Sequence, residues 1–403
     1  MKLFILVIII CLSAQVAFSF PQYTLLSGNR CINCHFNVQG GALRNDLGWY
    51  SASDESLIKP EWIGLDSVFG AFKGNTLFNK KVFLGFDTRF IYNNNAYLVK
   101  YMGDQVKMFP MELTLYGGIK ATDWLSANFG FNSSYFLQGS MYSLNLKQSW
   151  SASVEMQPDK EYPQLRMGYF QPSTGIRYED HTNLVRQFII PSKGMINRRP
   201  MVPIDYADWG AEINYYSEKW LQLTAGVHRS NNFAFQNGSI RFKQGSSFKY
   251  LDIIDSSKMA FLVKGVINEK LPDYKLNGMI GASLFSISDF WMANSFYGIG
   301  YGGIVSLLTE VCTSYKKDVQ KTTNYALDLN IEASEGLVGI IGYQKGNTQI
   351  FGNAPLTADY AQWIFGVKAY LLPYIEFRPE YRLIKPGDMD SFSHYVLQFH
   401  IFY

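Results

Sequence analysis

Ile375-Glu376-Phe377-Arg378-Pro379-Glu380-Tyr381-Arg382-Leu383 sets Ile375, Phe377, Tyr381 and Leu383 against four charges at alternate positions. Successive side chains of a strand point to opposite faces, so Glu376, Arg378, Glu380 and Arg382 share one side. A charged side chain at the middle of a bilayer costs about 2–4 kcal/mol, and four of them cannot face lipid together. They line an interior, and their mixed signs predict internal salt bridges rather than a strongly ion-selective pore. Tyr325, Leu327, Leu329 and Ile331 against Asp328, Asn330 and Glu332 repeat the pattern.

A single alternating strand also suits a soluble sheet; repetition decides the matter. Val82, Leu84, Phe86, Phe90 and Tyr92 oppose Phe83, Gly85, Asp87 and Arg89. Leu113, Leu115 and Ile119 oppose Glu112, Thr114 and Lys120, and Leu125, Ala127, Phe129 and Phe131 oppose Ser126, Asn128 and Asn132. Short turns are read at residues 121–123, 157–160, 217–219, 268–273, 333–336 and near Pro373. Longer polar connections, such as residues 93–95 and 231–249, are expected at the opposite rim of each strand pair. This is the asymmetry of a membrane barrel. The expected architecture is all-β: an antiparallel transmembrane β-barrel of about 16 strands, an even number that returns both ends to one side. One hairpin, around Ser306-Leu307-Leu308-Thr309, is not settled by the pattern.

Composition agrees. No run of about 18 apolar residues follows the first 19 residues, which excludes helical membrane spans. The 30 Phe, 27 Tyr, 8 Trp and 34 Gly among 403 residues instead supply the aromatic girdles and close-packed walls of a barrel. A net charge of +3 leaves no large basic patch, which speaks against a nucleic-acid partner.

Residues 1–19 read as a signal peptide, with Lys2 before the apolar run Leu3 to Ile10 and Ala17-Phe18-Ser19 as cleavage site. Cys11 lies inside that run and is read as signal filler. Residues 20–80 are not strand-like, and residues 81–403 carry the barrel pattern. Near the start of the first of these segments stands Cys31-Ile32-Asn33-Cys34-His35. The spacing matches covalent haem attachment: two thiols add to the vinyl groups of one porphyrin, and the next residue places an imidazole under the iron. A zinc site needs further ligands, and none follows at short spacing. A Cys31–Cys34 disulfide leaves His35 unexplained. The expected cofactor is one covalent haem c, bonded through Cys31 and Cys34, with His35 as proximal iron ligand. Cys312 then remains as a small residue packed in a strand. About 60 residues are few for an independent domain, so this segment is expected to pack within the barrel as a haem-bearing plug. Arg30 and Arg44 are candidates to pair with the propionates, against the plainer reading of two solvated arginines.

One connection exceeds 30 residues, from near Tyr169 to near Asp208. By the alternating topology it is the third outer loop, and loops of this length are usually functional. Within it His181 is a candidate distal iron ligand, weighed against a histidine bonded to Asp180 or Glu179. Met195, Met201, His394 and His400 compete, the two histidines from the wall. The last strand, Tyr395-Val396-Leu397-Gln398-Phe399-His400-Ile401-Phe402-Tyr403, has Tyr395, Leu397, Phe399, Ile401 and Tyr403 on one face. It resembles the terminal strand that outer-membrane barrels present for insertion.

Signal, C-x-x-C-H motif, barrel and terminal aromatic strand together resemble porin-like outer-membrane proteins of the electron-conduit kind. The likeness implies the outer membrane of a Gram-negative bacterium, contact with its lipid, and an inward-folded third loop. It also implies redox partner cytochromes in the periplasm or at the cell surface, and a homo-oligomer. Typical conduits thread a separate multihaem cytochrome; a single porphyrin cannot bridge an apolar band about 25 Å tall. The expected function is electron transfer at or across the outer membrane, with no bond chemistry and so no enzyme. The alternative is a diffusion porin or uptake channel in which the haem is structural.

Overall fold

The computed structural model describes residues 21–36, 42–54, 56–71, 74–93, 108–133, 150–159, 161–177, 206–217, 220–233, 239–244, 247–252, 257–351, 356–387 and 390–403, with residues 183, 185, 195–196, 201–202 and 255. The signal reading, Cys11 and His181 lie outside them. Sixteen antiparallel strands form the wall. They are β1 (Val82–Asn93), β2 (Met108–Lys120), β3 (Leu125–Asn132), β4 (Trp150–Met156), β5 (Gln164–Phe170), β6 (Asp208–Tyr216), β7 (Leu221–Arg229) and β8 (Met259–Leu271). The second half comprises β9 (Leu276–Ile287), β10 (Phe290–Tyr301), β11 (Val305–Lys316), β12 (Gln320–Ser334), β13 (Leu337–Ile350), β14 (Leu356–Leu372), β15 (Ile375–Pro386) and β16 (Phe392–Phe402). Each pairs with its chain neighbour, and β16 closes onto β1 in register from Asp87↔Phe402 to Asn93↔Val396. Closure satisfies every ladder without an open edge, the condition for strands in hydrocarbon.

The face assignment follows the sequence pattern. Leu84, Leu115, Phe129, Leu327 and Leu397 are exposed on the outside, while Asp87, Arg89, Glu112, Glu376, Glu380 and Arg382 are buried within. The chain is thus a transmembrane β-barrel of the outer-membrane type, its apolar exterior turned to lipid and its charges turned to the lumen. The expected internal salt bridges are present: Arg382 Nε donates to Glu380 Oε2 at 2.8 Å, and Arg378 reaches Glu380 Oε1 at 2.5 Å.

One rim carries only short turns, including 121–124, 217–220, 272–275, 302–304, 335–336 and 373–374. Long connections were expected opposite each of them, and here the structure differs. Residues 94–107, 133–149, 171–207 and 230–258 are long, but 288–289, 317–319, 351–355 and 387–391 are as tight as the turns. Ser288 (φ 55°) and Asp318 (φ 58°) take the left-handed backbone that such reversals require. The unsettled residues Ser306 to Thr309 lie inside β11, after a turn carrying Gly302 (φ 64°) and Gly303 (φ 73°).

The lumen is filled from both sides. The N-terminal segment enters as helix α1 (Pro21–Ser27), a single turn α2 (Cys31–Cys34) and helix α3 (Asp46–Asp54). Leu25 of α1 packs on the inward residues Val266, Phe296 and Leu308, and Asn277 Nδ2 donates to Leu25 O at 2.7 Å. Two inward glycines of β10 make room for it. A Cβ on Gly298 would stand 2.6 Å from Leu25 Cδ1, and one on Gly300 would overlap the Leu25 carbonyl. The segment is tied along the short-turn rim. Arg30 Nη1 donates to Ser217 O at 2.6 Å, Leu57 N to Tyr370 O at 2.8 Å, and Lys59 pairs with Glu335.

From the other side the third outer loop folds inward. Ser173 N and Oγ donate to Glu212, Gly175 N to Ser283 Oγ at 2.8 Å, and Ile176 N to Glu310 Oε1 at 3.3 Å. Lys264 Nζ donates to Gly175 O at 2.7 Å. Ile176 joins Leu25 in one apolar cluster, so plug and loop meet in the lumen. Further on, Val185, Met201, Val202, Tyr206 and Phe233 cover the inner wall formed by Phe285, Ile287, Phe290, Met292 and Cys312.

Candidate haem-binding plug

Cys31 and Cys34 occupy one helical turn, which brings both thiols to one side of the backbone. His35 ends that turn in extended conformation (φ −126°, ψ 156°). It forms an isolated antiparallel bridge with Arg44, flanked by Phe36 N donating to Leu43 O at 3.2 Å and Asn45 N to Cys34 O at 3.0 Å. Asn45 also caps α3, its Oδ1 accepting from Gly48 N at 3.1 Å. Gly48 is required there, because a Cβ would overlap the Cys34 carbonyl oxygen. The motif is therefore held between α3 and the wall, where Phe36 meets Phe83 edge-to-face at 4.6 Å.

Cys34 is fully buried, Cys31 half-buried 3.6 Å from Thr24 Oγ1, and neither thiol is in a disulfide. Burial pushes the Cys31 thiol up, and burial together with Cys31 takes Cys34 up to about 11. Both thiols are thus protonated at neutral pH. His35 is only 3% exposed, and its buried ring nitrogens find no side-chain partner, with only the Leu43 and Ala42 backbone beside them. Burial, reinforced by the positive charges of Arg44 and Arg177, lowers its pKa to about 3. The neutral imidazole is the form that ligates iron. Among the described residues, no three His, Cys, Asp or Glu side chains gather as a metal site. A tetrahedral zinc site requires such convergence, whereas a porphyrin accepts two thioethers at its edge and an imidazole beneath its centre. The donor set fits covalent haem.

The wall histidines are turned inward as expected, and His400 is engaged elsewhere. Its Nε2 lies 2.6 Å from Asp87 Oδ1 and its Nδ1 3.4 Å from Glu376 Oε2. His394 is buried on the same strand. Met201 is held beside Cys312 Sγ at 4.0 Å and Asn324 Nδ2 at 3.3 Å. Cys312 is inward and buried, the packed strand residue expected. Arg30 is spent on the rim carbonyl of Ser217, whereas Arg44 is buried with its guanidinium 4.4 Å over Phe402. The sequence reading passed over Arg177, Asn277 and the glycines of β10. Only the glycines carry a signal, since Gly298 and Gly300 stand at inward parity, where a strand otherwise presents a side chain.

No family model matches the chain, and neither does any curated protein. Solved outer-membrane proteins resemble it in structure. OmpT of Vibrio cholerae aligns at TM-score 0.46 and 7% identity, covering 80% of this chain and 97% of its own. OpdK of Pseudomonas aeruginosa gives TM-score 0.44 and 11% identity over 81% and 100%. The outer membrane channel DcaP of Acinetobacter baumannii gives 0.48 and 10% over 80% and 97%.

Proposed function

We propose that this chain is a porin-like channel of the Gram-negative outer membrane whose lumen is plugged by its own N-terminal segment, stapled by one covalent haem c. The observation that carries it is the lodging of Cys31, Cys34 and His35 inside the barrel, with His35 buried and its ring engaged by no side chain. Cys31 and Cys34 would hold the haem through thioether bonds, and His35 would ligate its iron. The haem, once bound, contributes a one-electron iron centre. Burial of His35 keeps water from the proximal side, while Gly48 lets α3 close over the motif. Leu25, Asn277 and the rim contacts keep the plug seated.

Electron transfer with periplasmic or surface cytochromes is the second reading. What favours it is the attachment motif itself, complete and shielded from water; a structural staple alone has no need of iron. One haem at this depth still requires a redox partner on at least one side.

Haem staining of denaturing gels from outer-membrane fractions tests the attachment: wild type stains and Cys34→Ala does not. Planar-bilayer currents recorded under oxidising and then reducing conditions separate the readings. A current independent of redox state supports the channel. Wild-type protein that is colourless ends both haem-based readings.

A further inference from the structure

Resting on the haem reading above, we propose that Arg44 of the plug and Arg177 of the inward loop each hold one haem propionate, so that the haem ties loop to plug across the lumen. Directly opposed residues of an antiparallel bridge point their side chains to one face, and His35 and Arg44 are such a pair. Arg44 is 5% exposed, and its Nε is buried with no hydrogen-bond partner. No ion pair is formed by its guanidinium among the described residues. Asp87 is near enough to feel this charge without pairing with it, and a carboxylate binds a guanidinium through paired hydrogen bonds. Phe402 stacks on the guanidinium at 4.4 Å, a contact that does not use the N–H edges through which a carboxylate binds.

Arg177 approaches from the other body. It follows Ile176, whose side chain touches the Leu25 cluster and whose N–H is fixed on Glu310. The loop therefore delivers Arg177 to the boundary with the plug. Arg166 is already committed, its Nε 3.1 Å from Ser153 Oγ and 3.5 Å from Glu155 Oε1. Arg177 makes no hydrogen bond or ion pair among the described residues. One cation thus stands beside the buried imidazole on the plug and one at the plug–loop boundary, and a haem carries two carboxylates. Arg30, the other arginine of the plug considered for this role, is held at the rim.

The test uses full-length protein carrying Arg177→Gln or Arg44→Gln, with the haem-free Cys31→Ser/Cys34→Ser protein for reference. Arg177→Gln is expected to keep its haem stain, to show a lower midpoint potential because a cation beside the haem favours the reduced iron, and to raise the bilayer current toward that of the haem-free protein. Arg44→Gln is likewise expected to keep its stain and lower the potential, and a stained Arg44→Gln protein at the wild-type potential overturns Arg44 as a propionate holder. A stained Arg177→Gln protein in which either potential or current is unchanged overturns the tie and leaves the haem reading standing. A wild type without stain overturns both.

Discussion

The two halves of the barrel use the same wall for different ends. From β1 to β8 every outer connection is long, whereas from β9 to β16 it is two to five residues. Both inner faces carry charge. Asp87, Arg89, Glu112, Glu155, Arg166 and Glu212 line the first half and Glu310, Lys368, Glu376, Glu380 and Arg382 the second, which adds Phe285, Ile287, Phe290, Met292, Cys312, Ala326 and Ile350 on inward positions. The apolar patch is covered by residues from the long loops, among them Met201, Val202, Tyr206 and Phe233. One half therefore supplies the roof and the other its seat. Tight reversals on the seat side leave room for loops to cross, and an apolar inner wall gives them something to bury.

Removing a keystone of that roof should have the largest effect. Phe233 is 0% exposed, with ring centroids 5.3 Å from Phe290 and 5.6 Å from Tyr206. Phe233→Ala is expected to cost about 3–5 kcal/mol, as for a fully buried aromatic. Protease nicking between β7 and β8, compared with wild type in the same detergent, reads it. Unchanged resistance would mean that the two halves are not coupled through the roof.

If the halves differ only inside, their outer faces should respond alike. Leu115 on β2 and Leu327 on β12 are both exposed outward near the middle of their strands. Leu115→Arg and Leu327→Arg should each lose about 2–4 kcal/mol when folded into bilayers, the cost of a cation near the midplane. Denaturant titration in liposomes measures both. A large gap between the two would show that the halves meet lipid differently and would confine the comparison to one of them.

The wall was legible because charge and alternation act locally: Glu376, Arg378, Glu380 and Arg382 declare their face within seven residues. The haem motif was legible for the same reason, since five consecutive residues carry its chemistry. What escaped was set by distance along the chain. Loop length at the outer rim is decided by what the loops must cover, and nothing at Ser288 or Asp318 announces that Phe233 will pack on β9 and β10. Arg177 gives no local sign either, because its place comes from Ile176 meeting Leu25, residues that only the closed barrel brings together.

The smallest effect belongs to the plug's anchorage on the tight-turn half. Lys59 pairs with Glu335 at the rim, with side chains 29% and 44% exposed, and exposed pairs contribute about 0–1 kcal/mol. The same stretch is pinned beside it by the Leu57 and Ile58 amides, which donate to Tyr370 O at 2.8 Å and Leu371 O at 3.2 Å. Those bonds survive a side-chain change, and the shallow turn 335–336 lets the chain pass over the rim. Gly336 is needed there, since a Cβ would stand 2.8 Å from Leu57 N. Lys59→Ala is therefore expected to leave haem content and plug protection from protease within error of wild type. Release of the plug by that one substitution would place the anchorage in the ion pair and take it away from the backbone ladder on which the tight-turn half is otherwise built.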